Sequence, residues 1–315
     1  MKFPSPSSSE AVVAITDLSR RFGSKTVLDG VSLYVPRGCA FGLVGENGAG
    51  KTTLIKHVLG LLRAEEGLVR VFGLNPADDP VAVLARIGYL SEQPDLPGWM
   101  RVDELLRYTK AFYPDWDTAY AEQLRAQFGL NPEQRIKTLS KGQRAKAGLL
   151  TAQAHRPELL LLDEPSSGLD PIVRHDILEA VIRTVADEGR TVFFSSHLLE
   201  EIERVADHVA MLHQGKLVLC GPLDELKAKH RKLALRFESA QARPPVIAGA
   251  LNVTGMGKDW TLICNGAKDD ISAAIAGAGG TIVEEGGPSL NEIFVAHAGN
   301  VTGANNEDRE REAKQ

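Results

Sequence analysis

Gly45-Glu46-Asn47-Gly48-Ala49-Gly50-Lys51-Thr52-Thr53 fits the pattern G-x-x-x-x-G-K-[ST] and sits where that pattern has mechanical meaning. Upstream, Ala40-Phe41-Gly42-Leu43-Val44 is short and apolar and reads as a buried strand. Downstream, Thr53 to Leu59 has helical spacing. A strand, a glycine loop and a helix in that order are what a phosphate cradle requires. A triphosphate needs several donors at close range, without steric obstruction. Gly45, Gly48 and Gly50 remove Cβ clashes, the free N–H groups at the helix start face the phosphates, and Lys51 adds a mobile positive charge. Asn47 and Thr53 complete the candidate binding loop, and Thr52 offers a hydroxyl to Mg²⁺. A glycine-rich hairpin would also satisfy the string, so the rest of the chain has to decide.

The chain has 315 residues, enough for one large domain and a smaller one. Its 36 basic and 41 acidic side chains leave a net charge of -5, which gives no support for nucleic-acid binding. No apolar run approaches the roughly 18 to 20 residues needed to span a bilayer, and the Pro/Ser-rich start lacks the apolar core of a signal peptide. A cytoplasmic location is expected. Cys39, Cys220 and Cys264 are odd in number and far apart, which disfavours a disulfide framework or a zinc site and makes them small buried residues.

Residues 1–9 are expected to be disordered, and 299–315 to form a polar tail. Between them the texture changes twice. Strand-like runs such as Val12 to Ile15, Val31 to Val35 and Thr191 to Phe194 alternate with helical segments, which predicts an α/β core. Residues 95–150 read as a helical insertion, with amphipathic Val102 to Tyr108 and Tyr120 to Phe128 separated by a break at Pro114-Asp115-Trp116-Asp117. From Leu233 onward, Leu233 to Phe237, Trp260 to Cys264 and Thr281 to Val283 read as strands around a helix at Asp270 to Gly277. The expected division is therefore a cassette over 10–228 and a small α+β domain over 229–298.

Leu159-Leu160-Leu161-Leu162-Asp163-Glu164 is an apolar run ending in two carboxylates, as expected of a central strand whose tip points its acids at a ligand. Asp163 would serve the Mg²⁺ shell and Glu164 would be the general base toward water. Upstream, Leu139-Ser140-Lys141-Gly142-Gln143 leads into a helix over Arg144 to Ala154, which Ser140 is suited to cap. Downstream come Ser167-Gly168-Leu169-Asp170 and Ser195-Ser196-His197. Loop, Ser140-x-Gly142-Gln143, Asp163-Glu164, Asp170 and His197, in that order, resemble the motif set of ATP-binding cassette (ABC) ATPases over residues 12–226.

The resemblance implies a P-loop NTPase cassette, with a RecA-like α/β core, a β subdomain and a helical insertion. It implies ATP as substrate, with Mg²⁺. Two such cassettes close head to tail around two ATP molecules, so Ser140 and Gly142, followed by Gln143, would meet the γ-phosphate bound by the other subunit. Asp170 would communicate between the paired sites, and His197 would contact the γ-phosphate. Phe22 matches the aromatic position that stacks on adenine. In Tyr89-Leu90-Ser91-Glu92-Gln93, Gln93 is expected to serve Mg²⁺ and water, although alignment from the tyrosine puts Glu92 at that position. Lys141 replaces a more common Gly and Ser166 a frequent Thr. Neither departure removes Glu164 or His197, and both of these favour hydrolysis over mere binding.

The resemblance further implies a transporter motor: a homodimer, or a heterodimer with a related cassette, driving a separate membrane permease from the cytoplasmic face of the membrane. Pro288 to Phe294 is similar to the extra domain of ATPases paired with exporter-type permeases. A soluble ABC ATPase acting on the ribosome or DNA is the alternative. The short insertion between Gln93 and Ser140 and the single cassette argue against it.

Overall fold

Four consecutive leucines, Leu159–Leu162, have no exposed surface, because the strand they form lies inside a parallel sheet covered on both faces. The computed structural model describes residues 11–186 and 189–299, which divide into two compact units between Leu217 and Val218. The expected disordered N-terminus, residues 1–9, and the tail from 300 onward lie outside the described residues.

The first unit begins with β1 (Ala11–Phe22) and β2 (Lys25–Pro36), followed by β3 (Ala40–Val44), α1 (Lys51–Val58), β4 (Glu66–Val71), α2 (Pro80–Leu84) and β5 (Ile87–Leu90). The helical stretch contributes α3 (Val102–Lys110), α4 (Thr118–Gln127) and α5 (Lys141–Gln153). After it come β6 (Leu159–Leu162), α6 (Pro171–Ala186), β7 (Thr191–Ser196), α7 (Leu199–Val205), β8 (His208–His213) and β9 (Lys216–Pro222), in which the division between units falls. β1 pairs antiparallel with β2 and β4 in a three-stranded sheet. The larger sheet has the order β5-β6-β7-β3-β8-β9, and the pairs from β5 to β8 are parallel.

Four neighbouring strands thus end at the same edge, where parallel α/β sheets place their ligands. Leu90 lies beside Leu162, Leu162 beside Phe194, and Val44 beside Ser196. The loops after β5, β6, β7 and β3 are therefore adjacent before any side chain is considered. α5 packs on β5 and carries α3 and α4, while α6 and α7 pack on β3 and β7.

The second unit contains α8 (Leu223–Lys229), β10 (Arg231–Gln241), β11 (Ala250–Cys264), α9 (Lys268–Gly277) and β12 (Gly280–Gly286), and residues 290–299 are also helical. β10 is the middle strand of an antiparallel sheet. Leu233, Leu235, Phe237, Trp260, Leu262 and Ile271 supply its core. Among the described residues no helix is long and apolar enough to cross a membrane. Cys39 and Cys264 are buried, Cys220 is partly so, and none of the three is in a disulfide.

One buried imidazole gives this fold a pH limit. His155 stacks on Tyr113 with ring centroids 3.8 Å apart, and its Nε2 lies 3.2 Å from the Ile87 carbonyl. Burial drives its pKa down to about 4. The unfolded chain takes up this proton near the ordinary value of about 6.5 and the folded chain does not until about 4. Stability is therefore fully present above 6.5 and is lost as pH falls between those values, by on the order of 3 kcal/mol. Urea unfolding of His155→Gln should have a pH dependence over that window shallower by about this amount; an unchanged slope would assign the effect elsewhere.

Candidate functional site

Lys51 opens α1 and is only 6% exposed, although its side chain is a cation. Its burial is possible because the glycine loop folds around the ammonium: Nζ donates to the Gly45 carbonyl at 2.6 Å and to that of Glu46 at 3.2 Å. The third partner is the Glu164 carboxylate, with Nζ–Oε1 at 2.9 Å. Gly50, the N-cap of α1, has φ of 110°, and a Cβ there would come within 2.8 Å of the Val27 carbonyl oxygen. Only glycine turns the loop so tightly under β2.

Glu164 comes from the tip of β6 and meets His197 from the tip of β7. Its Oε2 lies 2.6 Å from His197 Nδ1 and accepts from the His197 backbone N–H at 3.3 Å. The carboxylate is thus held between a lysine and a histidine delivered by three adjacent strands. Glu164 itself has φ of 49°, a left-handed conformation that costs a non-glycine residue about 1 kcal/mol or more. The Ser195 hydroxyl, fully buried, holds the turn: it accepts from the Glu164 N–H at 2.9 Å and donates to Asp163 Oδ1 at 2.8 Å.

Asp163 is buried, and its pKa is raised, chiefly by desolvation, with hydrogen bonds from Ser195 and Thr52 opposing and the charges of Glu164 and Glu92 adding to the rise. Two carboxylates and the Thr52 hydroxyl thus converge. Hard oxygen donors of this kind suit Mg²⁺, which binds one or two carboxylates and keeps its other positions for water and phosphate. Among the described residues no group of three or more His, Cys, Asp and Glu side chains is placed to hold a metal alone. The set fits an ion that arrives with a phosphate.

A cavity of about 580 Å³ opens over these groups, within the range of ligand pockets. Asn47, Gly48, Gly50, Lys51, Thr52 and Thr53 line it, with Glu164 and His197. Gly45 contributes its carbonyl to Lys51. Glu92 also lines the cavity and accepts from the Ser167 hydroxyl at 3.1 Å. Gln93 does not. It lines a separate pocket of about 310 Å³ with Lys141 and Arg144, and its carbonyl accepts from Ser91. β5 ends at Leu90, and of the loop residues that follow, the second, Glu92, lines the cavity with Thr52 and Glu164, whereas the third, Gln93, does not.

Phe22 stands at the end of β1, 46% exposed, with the Arg20 guanidinium 4.7 Å above its ring. It pairs across the hairpin with Lys25, which lines the cavity, while Phe22 itself does not. Ser140, Gly142, Gln143 and Asp170 do not line the cavity. Ser140 and Gln143 instead bond each other's backbone N–H, at 3.1 and 3.0 Å, in a capping box at the start of α5. Gly142 lies against Val173, and a Cβ would come 2.8 Å from its methyl group. Asp170 caps α6 through the N–H groups of Ile172 and Val173, both at 3.1 Å.

Sequence reasoning passed over Ser195, Lys25 and Ser167 as contributors. Lys25 carries no motif of its own, and Ser167 and Ser195 drew notice only within the strings that lead to Asp170 and His197.

Known proteins resemble this chain in sequence and in fold. The ABC transporter family model matches residues 28–167. The bacitracin transport ATP-binding protein BcrA of Bacillus licheniformis is 35% identical over 75% of this chain and 78% of its own length. The ABC transporter ATP-binding protein NatA of Bacillus subtilis (strain 168) is 34% identical over 72% of this chain and 96% of its own. A solved ATP-binding subunit of an ABC transporter superposes with a TM-score of 0.63 at 32% identity, covering 69% of this chain and 92% of that one.

The Ser195 hydroxyl is the most exposed point of this construction to test. Ser195→Ala leaves a buried N–H and a carboxylate oxygen without that partner, at a cost of about 2 kcal/mol or more. The unfolding midpoint should fall by roughly 4 to 8 °C, and an unchanged midpoint would mean that the Glu164 turn is held by other contacts.

Proposed function

We propose that this chain, which belongs to the ABC transporter family of ATP-binding proteins, is the motor subunit of an exporter, closing on ATP with a second cassette to drive a separate membrane permease. The chain is an ATPase, as this family is. The single observation that carries the finer reading is the complementary placement of its motifs. Lys51, Glu164 and His197 share one cavity, while Ser140, Gly142 and Asp170 do not line it. In this reading one chain presents half of a site and the complement of another half.

In this reading the γ-phosphate competes for Lys51. Its ammonium is engaged by two carbonyls and by Glu164 Oε1, and a phosphate drawing it away releases that oxygen to accept a proton from water. The water oxygen then bonds to the γ-phosphorus as the bond to the bridging oxygen of ADP breaks. His197, already ordered against Glu164, lines the cavity where the phosphate would sit. Thr52 and Asp163, with Glu92, would hold Mg²⁺, whose charge offsets that of the phosphates when bound. Phe22 offers its exposed face to the adenine.

Transport is supported by the relatives' names, which are those of transport ATP-binding proteins. Export is supported by the small α+β unit that follows the cassette, with Pro288 to Phe294 similar to the extra domain of exporter-type ATPases. A place on the cytoplasmic face of the membrane follows from the need for ATP and for a permease. The partner cassette is either a second copy or a related chain. We further propose that the cassette runs to about residue 228 and the small domain from 229 to 298.

Glu164→Gln tests the core of the proposal. It should retain ATP binding, lower steady-state hydrolysis at least 100-fold and accumulate an ATP-bound dimer in size-exclusion chromatography; a fully active variant would remove Glu164 from the role of base. For the transport role, the tagged chain should copurify from solubilised membranes with an integral-membrane protein. Recovery of ribosomes or DNA instead would favour the soluble alternative.

A further inference from the structure

Next to the segments that carry Glu164 and His197, and outside the lining of the cavity, lies a further carboxylate to which no role has been assigned. Glu201, on α7, is 5% exposed. Its Oε2 accepts from the Ser166 hydroxyl at 2.7 Å and from the Ser196 hydroxyl at 2.9 Å. Ser166 stands two residues after Glu164, and Ser196 one residue before His197. Both serines are buried. The Ser196 hydroxyl also accepts from the Leu198 N–H at 3.0 Å, and of the two acceptors within reach of its proton Glu201 at 2.9 Å is closer than the Leu198 carbonyl at 3.5 Å. The other oxygen, Oε1, forms an ion pair with Arg174 of α6, Nε–Oε1 3.2 Å, and the Arg174 guanidinium reaches the Leu169 carbonyl at 3.4 Å.

A buried carboxylate needs compensation, and here it comes from one cation and two hydroxyls. Both hydroxyls belong to the two loops that deliver the base and its histidine. One oxygen atom therefore spans the gap between the segment following β6 and the end of β7. That gap is also closed by Glu164 Oε2 and His197 Nδ1 at 2.6 Å. We infer that Glu201 is a positioning residue for hydrolysis, setting the separation of Glu164 and His197 through Ser166 and Ser196.

Loss of this oxygen removes the tie at Ser166 and Ser196 and leaves the Ser195 contacts and the Glu164–His197 pair to join the two segments, so the effect falls on the chemical step. Ground-state affinity rests on the glycine loop and Lys51, which Glu201 does not touch. The inference rests on the proposal that Glu164 and His197 are the catalytic pair.

The test is the steady-state ATPase of the full chain with Mg²⁺-ATP, read as kcat and KM separately. Glu201→Ala should lower kcat about tenfold or more, with KM changed less than twofold. Glu201→Gln, which keeps an oxygen for both serines while losing the charge facing Arg174, should recover most of that loss. Ser166→Ala with Ser196→Ala should reproduce the fall, and adding Glu201→Ala to that pair should lower kcat no further, because all three act as one unit. If Glu201→Ala does not yield folded protein, the serine pair decides. A kcat within twofold of the native value in Glu201→Ala or in the serine pair overturns the inference. So does an equal loss in Glu201→Ala and Glu201→Gln, which would make the ion pair to Arg174 the operative contact. Glu164→Gln, run alongside, separates the two levels: if it retains turnover, the assignment of the base has failed, whereas an inactive Glu164→Gln beside an unaffected Glu201→Ala rejects only the role given to Glu201.

Discussion

A carboxylate clamped between a lysine and a histidine, out of water, is the interaction on which the rest of this molecule depends. Glu164 has Lys51 at 2.9 Å on one oxygen and His197 at 2.6 Å on the other. Burying such charges is costly unless their geometry is held closely, because desolvation opposes the attraction that results. The parallel sheet supplies that precision. β6, β7 and β3 are consecutive neighbours, so Glu164 and His197 follow directly on adjacent strand ends and Lys51 arrives at the start of α1, after the glycine loop that leaves β3. The unexposed apolar residues of these strands are what keep the tips in register.

The strain at Glu164 belongs to the same construction. A left-handed backbone at a glutamate persists only where its surroundings over-determine it. Ser195 bonds the N–H of that residue and the carboxylate of the one before it, and Glu201 holds Ser166 two residues later. The turn is therefore pinned on both sides of its strained residue. Two successive serines at the end of β7 point in opposite directions, as strand geometry requires, and secure different loops.

Much of this was legible in the sequence, for reasons that differ along the chain. The glycine loop is readable because its backbone geometry excludes other residues, and the Leu159–Leu162 run because a strand covered on both faces has no polar position to interrupt it. The choice between Glu92 and Gln93 was not readable. It depends on how a loop turns after Leu90, and a shift of one residue leaves composition and spacing unchanged. Ser195 and Glu201 carry no local pattern either, since Glu164 lies 31 residues from Ser195 and Ser166 lies 35 from Glu201, and the fold alone brings them together. In the second unit the strand read as Trp260 to Cys264 extends back to Ala250, through Gly255, Gly257 and exposed side chains that obscure the alternation. The helix read as starting at Asp270 begins at Lys268.

In the proposed pairing of two cassettes, the capping box at the start of α5 has a consequence for how they meet. Ser140 and Gln143 satisfy each other's backbone before any partner approaches, and Gly142 is seated against Val173. That surface loses its conformational freedom when the chain folds, so little entropy is left to lose on association. Encounter between two such chains is closer to the docking of finished surfaces than to mutual folding. The rate at which they engage should then follow diffusion and the arrival of nucleotide, with no slow ordering step in between.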